Sequence, residues 1–92
     1  MEYIFTFGST SHSIKAEQTL LAAKLSVTVM PLPAAIRAGC GLCLRVAKDD
    51  MPAAQRALQE ADVPIEQVYR RRPDGPGATY TPYLKEENDE NT

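Results

Sequence analysis

The hydrophobic and polar positions in the first third of the chain alternate between strand-like and helix-like patterns. Residues 3–7 are rich in aromatic and β-branched side chains, which predicts a strand. Apolar residues then recur at helical spacing over residues 14–25, behind several candidate N-caps from Ser9 to Ser13, with Ser11 and Ser13 both suitable. Residues 26–30 are again β-branched and are followed by proline, so they predict a second strand.

The third predicted strand has one face marked for burial. Over residues 42–47 the even-numbered positions are all apolar, and Cys43 and Arg45 lie between them. We therefore expect the even-numbered side chains to face the helices, and Cys43 and Arg45 to face away from them. A second helix follows, capped by one of two adjacent aspartates, and residues 65–70 form a fourth predicted strand.

The predicted element order is βαββαβ, which is typical of an α+β, ferredoxin-like sandwich. In that fold a four-stranded antiparallel sheet has the spatial order 4-1-3-2, and both helices cover one face. The start of the third strand then lies beside the end of the first strand, where the first helix begins.

Composition divides the 92 residues into a folded part and a tail. Residues 1–72 carry a net charge of +2 and form one ferredoxin-like domain, whereas residues 73–92 carry −4. Because the latter segment is rich in proline, glycine and acidic residues, we expect a flexible acidic tail. Without a membrane-length apolar run or signal-peptide features, the sequence predicts a cytoplasmic protein that does not enter a membrane.

Both cysteines lie in one short segment, and one of them is framed by glycines. Cys40 stands between Gly39 and Gly41, so no neighbouring Cβ shields its sulfur. Cys43 falls inside the third strand and is expected to be sheltered. In a reducing cytosol such cysteines more often bind metals, act in catalysis or take part in redox reactions than form a structural disulfide. We predict that Cys40 is the more reactive thiol.

The predicted topology gives Cys40 a chemical neighbourhood. It brings the thiol close to the loop that holds Ser11 and His12, at the N-terminus of the first helix. The partial positive charge there stabilises a thiolate, and His12 and Arg37 could add to the effect. The plain alternative is that His12 and Arg37 are solvated and that Cys43 is a small core residue.

Several features of this segment resemble a family of small selenium/sulfur carrier proteins. The features are Met30-Pro31-Leu32-Pro33, Cys40-Gly41, the strand Leu42-Cys43-Leu44-Arg45-Val46, and Glu17 in the first helix. The resemblance covers about residues 3–70. It implies that Cys40 holds a persulfide or perselenide, received from a donor such as a cysteine desulfurase and passed to an acceptor enzyme. Cys43 departs from the family pattern, which more often has a small residue there.

Other chemistry has little support in the sequence. It contains no glycine-rich phosphate loop, and we expect no cofactor. Two cysteines and one histidine cannot fill a four-ligand zinc site without an acidic ligand or a second chain, so no metal is expected. The sequence thus favours a carrier with a reactive cysteine over an enzyme.

Two alternatives stay open. Cys40 and Cys43 have the C-x-x-C spacing of a thiol-disulfide redox protein. Three extended residues span about 10 Å, and a disulfide needs Cα atoms within about 7 Å, so the glycines would have to fold the segment into a turn. The second alternative is a regulatory module that binds a small ligand, for example between the subunits of a homodimer. Residues 70–72, the only basic cluster, indicate a solvated strand end, so nucleic acid is not expected.

Overall fold

The structure, a computed structural model, describes residues 1–36 and 40–83. Its elements are β1 (Glu2–Thr6), α1 (Thr10–Ala22), β2 (Val27–Pro31), β3 (Leu42–Ala47), a short 3-10 turn (Lys48–Asp50), α2 (Met51–Glu60), β4 (Gln67–Asp74) and β5 (Gly77–Pro82). The fold is α+β, as predicted. In the described part of the chain, no helix is long and apolar enough to cross a membrane.

The strands form one sheet in the order β2-β3-β1-β4-β5, and every neighbouring pair is antiparallel. The first four strands have the predicted spatial order. The prediction of a four-stranded sheet is wrong, because residues 77–82 add a fifth strand next to β4. A turn at Gly75, whose φ of +59° favours glycine, reverses the chain between them.

This hairpin lies where the composition predicted the start of a flexible tail. Residues 73–74 belong to β4 and residues 77–82 to β5, so the structure differs from the predicted boundary at residue 73. The cause is pairing: backbone hydrogen bonds to β4 order a segment that is too polar to be recognised as a strand by its own pattern. Residues 84–92, the rest of the predicted tail, lie outside the described residues.

Both helices pack on one face of the sheet, which we call the helix side. The core between them consists of Tyr3, Phe5, Phe7, Ala16, Leu20, Leu44, Val46, Met51, Ala54, Leu58, Val63 and Val68. The predicted orientation of β3 is confirmed for Leu44 and Val46. In α1 the prediction was partly wrong: Ile14 and Leu21 are exposed. The small side chains of Ser13 and Ala16 face the sheet instead and allow α1 to lie close to it.

The helix ends show why the caps were harder to predict. The N-cap of α1 is Ser9, the first residue of the predicted Ser9–Ser13 segment, rather than Ser11 or Ser13, and its hydroxyl accepts a hydrogen bond of 3.2 Å from the His12 N–H. The N-cap of α2 is Asp50, one of the two predicted aspartates, although its side chain makes no capping hydrogen bond. The preceding 3-10 turn provides the start of that helix.

The opposite sheet face, which we call the open face, has a small apolar cluster of its own. Ile4 and Cys43 lie side by side there, and Ile36 from the β2–β3 connection covers them. Next to this cluster, the Glu2 carboxylate lies 3.5 Å from Arg45 and 2.7 Å from Arg71. One face of β3 thus contacts the main core and the other contacts this small cluster, so the face on which each cysteine lies determines its environment.

Candidate functional site

The connection from β2 to β3 carries Cys40. The hydrogen-bond ladder continues one step beyond β2, because the Leu32 N–H donates to the Gly41 carbonyl over 3.0 Å. Gly41 has a φ of +77°, and a Cβ built on it would meet no atom within 4 Å. Glycine is favoured here by the backbone conformation rather than by crowding. The positive φ of Gly41 turns the chain between Cys40 and the start of β3.

The Cys40 side chain is half-buried and points toward the helix side, where it packs against the main core. Its thiol donates to the Leu42 carbonyl, with Sγ and oxygen 3.1 Å apart. The Leu42 N–H in turn donates to Sγ over 3.4 Å. Leu42, the first residue of β3, thus holds the Cys40 sulfur at the N-terminal end of the strand. Part of Cys40 remains accessible to solvent.

Cys43 lies in the opposite environment. It is fully buried on the open face beneath Ile36. The pKa of the Cys43 thiol is raised from its ordinary value of 9.0 to about 11; burial is the main cause, the charge on Cys40 acts in the same direction, and Arg45 opposes the rise. Because the thiolate is the reactive form of cysteine, Cys43 is a poor nucleophile at neutral pH.

The two cysteines are both free thiols. Cys40 packs against the helix-side core, whereas Cys43 belongs to the cluster on the open face. This is the geometry expected when the second cysteine of a C-x-x-C segment lies within a strand. A disulfide between them would require the start of β3 to rearrange.

The other predicted site residues lie around α1 or outside the described residues. His12 is half-buried in the first turn of α1, and the Ser11 hydroxyl lies 3.2 Å from that of Ser9. In the part of the chain that the structure describes, neither His12 nor Ser11 is hydrogen-bonded to Cys40. Arg37 and Gly39 lie outside the described residues.

The sheet register supports the expected position of this segment relative to β1. Thr6, the last residue of β1, is paired with Cys43, so the start of β3 lies beside the end of β1. The chain then enters α1 at Thr10. The end of β1, the start of α1 and the start of β3 therefore lie at one end of the sheet.

One cavity among the described residues lies away from the cysteines, and the potential metal ligands described do not cluster. A surface cavity of about 370 Å³ lies at the end of α2 and is lined by Leu58, Gln59, Asp62, Val63 and Pro64. It contains neither cysteine. Within residues 1–36 and 40–83, no three histidine, cysteine, aspartate or glutamate side chains come together as a metal site would require.

One residue near the cysteines was missed by sequence reasoning. Ile36 is 4% exposed and belongs to the same buried cluster on the open face as Cys43. Its N–H donates to the Pro33 carbonyl over 2.9 Å, so a tight turn brings the side chain back onto the sheet. A signal was present, since Ile36 is the only large apolar residue between Pro33 and Leu42.

Comparison with known proteins identifies the family. Residues 2–70 match the family described as "Putative Se/S carrier protein-like", which is three quarters of the chain. The chain belongs to this family. The resemblance drawn from the cysteine segment is thereby confirmed. No curated protein and no solved structure matches the chain significantly. The family match spans both cysteines and Ile36 and ends before β5.

Proposed function

We propose that this Se/S carrier family member receives a sulfur or selenium atom on Cys40 and passes it to an acceptor enzyme. The observation that supports this most directly is the contrast between the two thiols. Cys40 is half-buried and therefore partly accessible, whereas Cys43 is fully buried and has a pKa of about 11. Only Cys40 can meet the reacting atom of another protein without a rearrangement of the sheet.

The loading step is a thiol exchange that balances without a cofactor. The Cys40 thiolate attacks the terminal sulfur or selenium atom of a persulfide or perselenide on the donor enzyme. The bond between that atom and the donor's cysteine breaks, and the donor's sulfur leaves as a thiolate. Cys40 then carries the persulfide or perselenide. Delivery repeats the exchange with a nucleophile of the acceptor enzyme.

The surroundings of Cys40 suit a transient anion. The Leu42 N–H already donates to Sγ and would continue to do so when the sulfur carries negative charge. The neutral thiol is held instead by the Leu42 carbonyl. Because Cys40 is only half-buried, a partner can approach the residue from solvent. The start of α1, at the same end of the sheet, adds the positive end of a helix dipole.

The proposal extends to partners, location and fold. The donor would be a persulfide-forming enzyme such as a cysteine desulfurase. The exchange would take place in the cytoplasm, where cysteines are kept reduced and can react as thiols. The family's carrier role itself implies contact with partner enzymes. We further infer that β1–β4 with the two helices represent a ferredoxin-like sandwich, to which β5 is added at one edge.

A transfer assay tests the role of Cys40. The full-length protein is incubated with a cysteine desulfurase and [³⁵S]cysteine, and bound label is measured without reductant. The wild type should acquire label that dithiothreitol removes, Cys40→Ser should lose it, and Cys43→Ser should keep it. Intact mass spectrometry of the same samples should show one added sulfur atom on the wild type and on Cys43→Ser.

Two outcomes would contradict the proposal. Full labelling of Cys40→Ser would remove Cys40 from the mechanism. Equal loss of label in both variants, with a mass loss of two hydrogens in the wild type, would instead support the dithiol redox protein. Circular dichroism of both variants controls for folding.

A further inference from the structure

The outer edge of β2 is open for pairing. β2 stands at one end of the sheet order, and no strand in residues 1–36 and 40–83 pairs with its second side. Because Leu32 bonds to Gly41 across the ladder, the alternation of an antiparallel pair directs the backbone of Thr28 and Met30 toward β3. The N–H and C=O groups of Val27 and Val29 therefore point outward.

The sequence of β2 does little to prevent another strand from joining this edge. Natural edge strands are usually blocked by charged side chains, bulges or inward-pointing lysines. The strand Val27-Thr28-Val29-Met30-Pro31 has no charged side chain. Pro31 also lies at a position whose backbone points away from β3, but it has no N–H group. The open edge therefore offers only the N–H donors of Val27 and Val29.

Exposed apolar side chains flank the same edge on the helix side. Val29 is 40% exposed, and Ile14 and Leu21 of α1 are 48% and 52% exposed. The buried residues of α1 are Ser13, Ala16 and Leu20, and the right-handed helix places Ile14 and Leu21 about 120° around from them. Since α1 packs over β2 and β3 with α2 on its other side, this flank faces the open edge.

We propose that this surface joins two copies of the chain through antiparallel pairing of β2 with β2 of the second copy. A two-fold axis through Thr28 sets Val27 opposite Val29 of the other copy and satisfies all the outward N–H and C=O groups of both residues. The same axis, perpendicular to the sheet, keeps the helices of both copies on one side. Ile14, Leu21 and Val29 of each copy then line the interface, with the half-buried Glu17 between Ile14 and Leu21 on the same flank of α1.

The second copy fits this surface because the surface is complementary to itself. Valine lies opposite valine on the same face, so the cross-strand contacts are apolar pairs of favourable β-branched residues. The strand brings no charge against its own image, although each chain has a net charge of −2. The inference concerns assembly and does not depend on the chemistry of Cys40.

Sedimentation equilibrium of the full chain between about 10 μM and 1 mM tests the proposal. The wild type should be a dimer. Val29→Lys and Leu21→Lys should each weaken dimerisation at least tenfold, since they place like charges across the two-fold axis. Thr81→Glu, an exposed position on the opposite edge strand β5, is the matched control and should leave the dimer intact. Circular dichroism establishes that each variant is folded.

Backbone hydrogen exchange gives a second measurement on the unmodified protein. The amides of Val27 and Val29 should become protected as the concentration rises through the dimerisation range, whereas that of Thr28 should be protected throughout. A wild type that stays monomeric at 1 mM would overturn the proposal. A dimer that Thr81→Glu disrupts, or that both lysine variants preserve, would also overturn it and place the interface elsewhere.

Discussion

Burial, more than sequence spacing, makes Cys40 and Cys43 chemically different. Three positions separate them, yet one packs at the rim of the helix-side core and the other lies beneath Ile36 on the open face. Alternation along β3 predicted that Cys43 is sheltered, since a residue between two core-facing positions must point to the other face. It did not predict that the thiol is fully buried, because the cluster around Cys43 includes Ile36, a residue from a connection without a periodic pattern.

The raised pKa of Cys43 predicts a loss of stability at high pH. The thiol titrates at about 11 in the folded protein, against an ordinary value of 9.0, so the unfolded state loses this proton first. Below pH 9 both states bind the proton and the free energy of unfolding is unaffected. Between pH 9 and 11 the unfolded state is favoured increasingly, by about 2–3 kcal/mol in total.

Chemical denaturation of the wild type and Cys43→Ala at pH 8 and pH 11 measures this effect. Tyrosines and lysines titrate in both proteins, so the difference between the two isolates Cys43. The stability advantage of the wild type over Cys43→Ala should shrink as the pH rises. An advantage that stays constant would mean that Cys43 is not desolvated in the folded protein.

At the scale of elements, sequence patterns predicted the strands and helices whose apolar residues mark the buried face. They missed the elements whose position depends on contacts with other parts of the chain. The alternation of β3 was visible because Leu44 and Val46 are apolar where the core requires it. The face of α1 was harder to predict, because small residues rather than Ile14 and Leu21 contact the sheet. The strand β5 was missed since its order comes from pairing with β4.

The β2–β3 connection is held to the sheet by Ile36, which leads to a prediction for Ile36→Ala. The substitution removes a buried side chain from the cluster around Cys43 and should lower the free energy of unfolding by about 2–4 kcal/mol. Cys43 should then react faster with iodoacetamide at pH 8. In the wild type, Cys40 should be alkylated first and Cys43 should stay largely unlabelled. Peptide mass spectrometry of a labelling time course gives both rates.

Leu58→Ala is the matched control for this experiment. It removes a fully buried side chain of similar size from the helix side of the sheet and should destabilise the protein comparably. It leaves the cover over Cys43 in place. If both variants accelerate Cys43 labelling equally, the exposure comes from global unfolding and not from loss of the Ile36 contact.

At the scale of the whole molecule, the hairpin beyond residue 72 is tied to both faces of the sheet. On the helix side, the Tyr83 N–H donates to the Val68 carbonyl over 2.9 Å, and its ring lies 5.3 Å from that of Tyr3 in an edge-to-face arrangement. The Arg70 guanidinium lies 5.4 Å from the centre of the Tyr83 ring. On the open face, Tyr80 packs against the cluster around Cys43. Local composition could not reveal these contacts, because their partners lie elsewhere in the sequence.

These contacts predict that β5 stabilises the folded domain, although β5 lies outside the residues that match the family. Truncation after Arg72 removes the β4–β5 pairing, the edge-to-face contact with Tyr3 and the cation–π contact with Arg70. We expect the free energy of unfolding to fall by about 3 kcal/mol, from cross-strand pairs and an aromatic pair that each contribute up to about 1 kcal/mol. Truncation after Tyr83 separates this contribution from that of residues 84–92, and Tyr83→Ala in the full chain isolates the aromatic contacts.

Urea denaturation followed by circular dichroism compares all four proteins. A segment that acted only as a solubilising tail from residue 73 would leave the urea midpoint unchanged after truncation at Arg72, and that result would contradict the structural role of the hairpin.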